Sequence, residues 1–160
     1  MPQLSQGDVF ASVDTSRAEL AVVFGHIGFN EMHQRWAAFS ARQPQLAGVR
    51  DPFTELANRP IDLSDGKWLW CIPEKENHGM TDMDMATALD AALSWASRKH
   101  IKSIATNGIA NTDHGRNTEY NRQSDERRAR LLITYASAAE QKHGINIELI
   151  SLNDVFVRVC

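Results

Sequence analysis

The chain has 160 residues and a mass of 17.9 kDa, which suits one compact domain over 1–160 and leaves little room for a second. A hydrophobic fraction of 42% is enough for a buried core, and 17 Lys+Arg against 20 Asp+Glu give a formal charge of −3, which argues against nucleic acid or an anionic membrane as partner. Two cysteines make no disulfide scaffold, and no apolar run nears the ~18 residues that span a bilayer, so a reduced, soluble, cytoplasmic protein is expected.

In chain order, the apolar run Glu19 to Phe24 reads as a strand covered on both faces. A helix follows from about Asn30, its expected N-cap, to Arg42, with Met32, Trp36 and Phe39 on one face. Pro44 stops it. Residues 43–66 form a long polar connection with prolines at 44, 52 and 60, read as an insertion or a lid. Lys67 to Ile72 is a second strand, with Cys71 a reduced core thiol. Thr81 caps a helix from Asp82 to about Lys99, whose buried stripe is Met85, Leu89, Ala92, Leu93 and Ala96. Lys102 to Thr106 is a third strand. A second long connection, Asn107 to about Gln123, precedes a helix from Ser124 to His143 with Leu131, Leu132, Tyr135 and Ala138/Ala139 expected inward and Gly144 closing it. Ile145 to Ile150 is a fourth strand, and Val155 to Val159 a candidate edge strand. Strands alternating with helices and tight helix-to-strand turns predict an α/β/α sandwich on a mixed, mainly parallel sheet.

In such a sheet, ligands bind beyond the carboxyl ends of the strands. The three exits are Gly25-His26-Ile27-Gly28-Phe29-Asn30, Pro73-Glu74-Lys75-Glu76-Asn77-His78-Gly79 and the loop that holds Gly108, Asn111, Asp113, His114 and Gly115. All are rich in Gly, Asn, His and acids, and all should meet on one rim. Gly25 and Gly28 before a helix could let backbone N–H groups approach a phosphate, or simply form an ordinary turn. Neither a P-loop nor a GxGxxG fingerprint is present. His26, His33, His78 and His114 could hold a transition metal with a carboxylate, but no HxH or HExxH spacing supports it, and no resident metal or cofactor is expected. Lys75 and Asp113 are an amine and a carboxylate on neighbouring loops, suited to nucleophile and acid/base work or to a solvated surface. Arg127, Arg128 and Arg130 read as the solvated start of the third helix, within reach of a phosphate.

The order of these parts resembles the macro domains, ADP-ribose-binding α/β/α modules. Gln6-Gly7-Asp8-Val9-Phe10 resembles the GD-x-[TF] opening of that family, followed in register by ELAVVFGHIGFNEMHQRWAAF, KWLWCIPEKEN and TALDAALSWASRKHIKSIATNGIANTDHG. Phe10 is similar to the GDxF branch, which includes the terminal ADP-ribose glycohydrolase and toxin-antitoxin glycohydrolases. The resemblance covers nearly the whole chain except 43–66. It implies that Asp8 and Val9 meet adenine, that Gly25, His26, Gly28 and Asn30 line the distal ribose and diphosphate, and that Gly108, Ile109, Asn111 and Gly115 wrap the diphosphate. Lys75 and Asp113 fall where that branch carries its chemistry. It departs at Phe24-Gly25-His26, where the family has an asparagine, and at Gly108-Ile109-Ala110-Asn111, where the family loop is richer in glycine.

Three functions follow as alternatives. The first is binding of ADP-ribose or a related nucleotide, with removal of ADP-ribose from a modified protein as its catalytic form. The second is a protein-interaction module whose cleft has lost its nucleotide. The third is a metal-dependent hydrolase on the rim histidines.

Overall fold

The computed structural model describes residues 1–28, 30–74, 80–108 and 119–159, with backbone alone at 30 and 119–122. Its elements in chain order are β1 (Gln3–Gln6), α1 (Val9–Asp14), β2 (Leu20–Gly25), α2 (Asn30–Ala41), a 3-10 turn (Pro44–Leu46), α3 (Pro52–Glu55), β3 (Pro60–Asp62), β4 (Trp68–Pro73), α4 (Asp82–Arg98), β5 (Ser103–Thr106), α5 (Glu119–His143), β6 (Asn146–Ser151) and α6 (Val155–Arg158). The sheet order is β1-β6-β5-β2-β4-β3. Every neighbouring pair is parallel except the β3–β4 edge.

The period of two along β2 sorts its side chains between two cores. Leu20, Val22 and Phe24 join α4, α5 and α6 on one face, while Ala21 and Val23 join α1, α2 and the 43–63 segment on the other. This is the mixed, mainly parallel α/β/α sandwich expected. All six β2 residues are buried, which is why the run lacks polar alternation.

Local chemistry sets the helix ends. The Thr81 hydroxyl accepts from the Asp84 N–H at 3.0 Å, and the predicted stripe of α4 is buried in full. Gly144 takes φ +64° after α5 and donates its N–H to the Glu140 carbonyl at 2.9 Å. The chain leaves α4 through His100 instead, a non-glycine residue at φ +63°.

Four expectations need correction. Val155–Arg158 is a helical turn, not an edge strand, because the Asn153 side chain accepts from Ser151 Oγ and from the Val155 N–H at 3.1 Å and turns the chain. Val155 and Phe156 then bury against the first core. The edge position beside β6 belongs to the polar β1. On α5 the buried stripe is Ala129, Leu132, Ala136 and Ala139, whereas Leu131 and Ala138 face solvent; alanines on the inner side let the helix lie close to the sheet. α5 also begins earlier than Ser124, at Glu119, and α2 opens at Asn30 itself.

The 43–66 segment is anchored by its own apolar residues. Leu46, Phe53, Leu56 and Leu63 enter the second core, Asp51 caps α3 through the Phe53 N–H at 3.0 Å, and β3 extends the sheet. Among the described residues no helix is long and apolar enough to cross a membrane.

Candidate functional site

β1, β6, β5, β2 and β4 are mutually parallel, so their carboxyl ends lie along one edge of the sheet. Asp8, the 25–28 turn, Glu74 and Asn107–Gly108 all follow those ends. β2 and β5 are neighbours, yet α2 packs on one face of the sheet and α5 on the other. Chains that leave adjacent strands in opposite directions open a crevice between them, the place where open α/β sheets take ligands.

Asn107 stands at that crevice, and the sequence reading passed over it as mere loop. Its Oδ1 accepts from the Phe24 N–H at 2.8 Å and its Nδ2 donates to the Phe24 carbonyl at 2.9 Å. The side-chain amide thus acts as one further peptide of β5 and prolongs the β5–β2 ladder by a residue. A polar residue directly after a buried strand is the only signal that could have marked it.

The expected glycines have internal duties. A Cβ on Gly25 would come within 2.7 Å of Met32 Cε and 2.9 Å of Phe53 Cζ, so the strand end is sealed by apolar side chains from α2 and α3. Gly108 sits at φ +54°, and a Cβ there would meet Leu132 Cδ1 at 2.6 Å. Its N–H donates to Thr106 Oγ1 at 3.2 Å, and the Gly28 N–H donates to His26 Nδ1 at 3.0 Å. An anion would take either N–H only by displacing a side chain.

Asp8 is the N-cap of α1 and accepts from the Phe10 N–H at 3.0 Å. The same Oδ1 accepts from Arg35 Nη2 at 3.0 Å. Arg35 lies on α2 with its Cζ 5.6 Å from the centre of the Phe10 ring, and no sequence motif pointed to it. The Val9 side chain is buried, so its contribution to a ligand can come only from its backbone. Asn30 opens α2. Lys75, Ile109, Asn111, Asp113 and Gly115 lie outside the described residues.

Arg127 and Arg128, considered for phosphate, converge on Asp82 at 2.8 and 3.1 Å, and Arg128 also donates to the Met80 carbonyl. The Arg127 hydrogen bond, with the charge of both arginines, holds the Asp82 carboxyl below its ordinary value against the opposing pull of desolvation. Burial pushes the Cys71 thiol far up, helped by the charge of Asp51, which makes it an inert core residue. Cys160 lies outside the described residues. Of the histidines considered for a metal, His26 is engaged by Gly28, His33 is exposed, and His78 and His114 lie outside the described residues. Among the described residues, no three His, Cys, Asp or Glu side chains gather to hold a metal ion. A separate groove runs between α2 and the 43–50 turn, lined by His33, Trp36, Pro44, Val49 and Arg50 among others, and among the described residues none of those expected to bind the nucleotide lines it.

No family profile matches the sequence, and no curated protein matches it. A solved structure does: the macrodomain of Thermus aquaticus DarG superposes with a TM-score of 0.54 over 94% of this chain and 97% of that chain, at 13% identity. At that identity the likeness speaks for the path of the chain and not for its side chains. The sheet order, the two helical layers and the near end-to-end overlap agree on one conclusion: the fold of this chain is that of a macrodomain.

Proposed function

We propose that the chain binds ADP-ribose or a related nucleotide along the carboxyl edge of the sheet, with the base near Asp8 and the Val9 backbone and the diphosphate between residues 25–30 and residues 108–115. The observation that carries this reading is the adjacency of β2 and β5 with α2 and α5 on opposite faces, in a chain of macrodomain fold. In its catalytic form, the site removes ADP-ribose from a modified protein, with Lys75 and Asp113 as the reacting pair. Calorimetry with ADP-ribose tests binding.

Asp8→Ala is a blunt probe, because it removes the α1 cap, worth about 1 kcal/mol, together with the Arg35 pair. Asp8→Asn keeps the Oδ1 acceptor for Phe10 and Arg35 while it exchanges the outer oxygen for a donor and removes the charge facing Arg35. It is expected to weaken ADP-ribose by about tenfold or more with the fold intact. Unchanged affinity would remove the base assignment, and no heat from the wild-type protein at millimolar ligand would remove nucleotide binding. For the catalytic form, Lys75→Ala and Asp113→Ala are each expected to stop release of ADP-ribose from a modified protein while binding persists.

The engagement of Gly25 and Gly108 by core side chains favours a second reading, a protein-interaction module without nucleotide. A structure soaked with ADP-ribose separates the two.

A further inference from the structure

Arg35 belongs to none of the motifs above, yet its contacts bear directly on the carboxylate assigned to the base. Its guanidinium lies over the Phe10 ring, which is fully buried and stacked on Phe39 with centroids 4.8 Å apart and tilted against Trp36 at 5.9 Å. The platform beneath the cation is therefore rigid. From it, Nη2 reaches Asp8 Oδ1 at 3.0 Å, the oxygen already capping α1 through the Phe10 N–H. Two donors fill the two lone pairs of Oδ1. Among the described residues, none of the hydrogen bonds reaches Oδ2. The Arg35 Nε–H is buried with no acceptor, a cost the protein tolerates. The guanidinium is thus held by the Phe10 face and the Asp8 charge, not by satisfaction of its own donors.

We infer that Arg35 is a positioning residue that sets base selectivity: by saturating Asp8 Oδ1 and fixing the carboxylate plane, it leaves Oδ2 as the one acceptor offered to the base. This rests on the nucleotide reading above. A fixed lone acceptor suits the exocyclic amine of adenine and repels the keto oxygen of hypoxanthine. Without Arg35 the carboxylate can turn and hydrate, and a water can then serve either base.

The test is calorimetry with ADP-ribose and with its hypoxanthine counterpart on wild type, Arg35→Met and Arg35→Lys, with thermal melts alongside. Methionine keeps an apolar stem over Phe10 and offers no donor; lysine restores one donor and the charge. Wild type is expected to prefer ADP-ribose by about tenfold or more. In Arg35→Met the preference is expected to fall to about threefold or less, with Arg35→Lys recovering most of it. If Arg35→Met does not fold, Arg35→Gln, which keeps a donor without charge, is expected to give a preference between the two. Arg35→Met that keeps the wild-type preference, or loses affinity for both ligands equally, overturns the inference and leaves the nucleotide reading standing. Wild type that binds neither ligand removes both.

Discussion

At the amino edge of the sheet, Glu19 ties strands to one another. Its N–H donates to the Ser103 carbonyl and hydroxyl, its carboxylate accepts from the Lys102 N–H at 2.9 Å, and its carbonyl accepts from the Trp68 N–H at 2.7 Å. The Lys102 carbonyl in turn accepts from Asn146. At the carboxyl edge, two such bonds close within two residues, His26 on Gly28 and Thr106 on Gly108, while Asn107 bridges β5 to β2 and Gln6 Nε2 donates to the Leu152 carbonyl just after β6. One edge spends its polar groups on register across strands. The other divides them between such bridges and the shaping of local turns. The first edge is thus tied across strands by Glu19, and the second is where the proposed nucleotide would lie.

The sharpest way to break this contrast is at two glycines with the same backbone. Gly108, at the carboxyl edge, and Gly144, at the amino edge, both have positive φ, but a Cβ on Gly144 meets nothing within 4 Å whereas one on Gly108 strikes Leu132. Gly108→Ala is expected to cost about 2–4 kcal/mol in urea unfolding, strain and overpacking together. Gly144→Ala is expected to cost about 1 kcal/mol, the conformational part alone. Equal losses would mean that Leu132 yields freely and the crevice wall is soft.

Next in size are the polar bridges. Asn107→Ala leaves the Phe24 N–H and carbonyl without their partner and is expected to cost about 1–3 kcal/mol and to weaken ADP-ribose binding. Glu19→Ala is expected to cost about 1–2 kcal/mol with ligand affinity unchanged. Chemical denaturation paired with calorimetry reads both. An affinity loss in Glu19→Ala would erase the division between the edges.

Smaller effects sharpen the picture. His100→Gly relieves a left-handed non-glycine residue in the exposed turn after α4 and is expected to stabilise by about 0.5–1 kcal/mol, read as a higher midpoint in urea. The Asp82 carboxyl is held below its ordinary value, chiefly by the Arg127 hydrogen bond. The native state therefore binds that proton later than the unfolded chain does. Its contribution is present above the unfolded carboxyl pKa, near 4, and is lost as pH falls through the lower native value. With Asp82 35% exposed, solvent screening keeps the gain below about 1 kcal/mol. Asp82→Asn should flatten the acid limb of stability against pH by that amount, and an unchanged acid limb would show the pair to be energetically silent.

Much of the scaffold was readable from sequence because its buried strands are apolar on both faces. Leu20–Gly25 and Trp68–Pro73 declare themselves by unbroken hydrophobic runs, and α4 by its spacing and its threonine cap. The edges were not readable. β1 is four residues of mostly polar type whose strand character comes from pairing with β6, and Val155–Arg158 has the β-branched composition of a strand but is turned into a helix by Asn153. At the site, Asp8 and the strand-exit glycines were visible as residue types. Their duties as cap, ladder end and close-packed wall, and the parts played by Arg35 and Asn107, depend on partners 27 or 83 positions away.

The amino-acid sequence by itself settled the central buried strands and the helices α2, α4 and α5 between them, because those follow from local hydrophobic period and capping. Which strands became neighbours, which face each helix covered, and hence which side chains surround the crevice were decided only on folding. Hydrogen-bond geometry and excluded volume act between residues that no local pattern brings together.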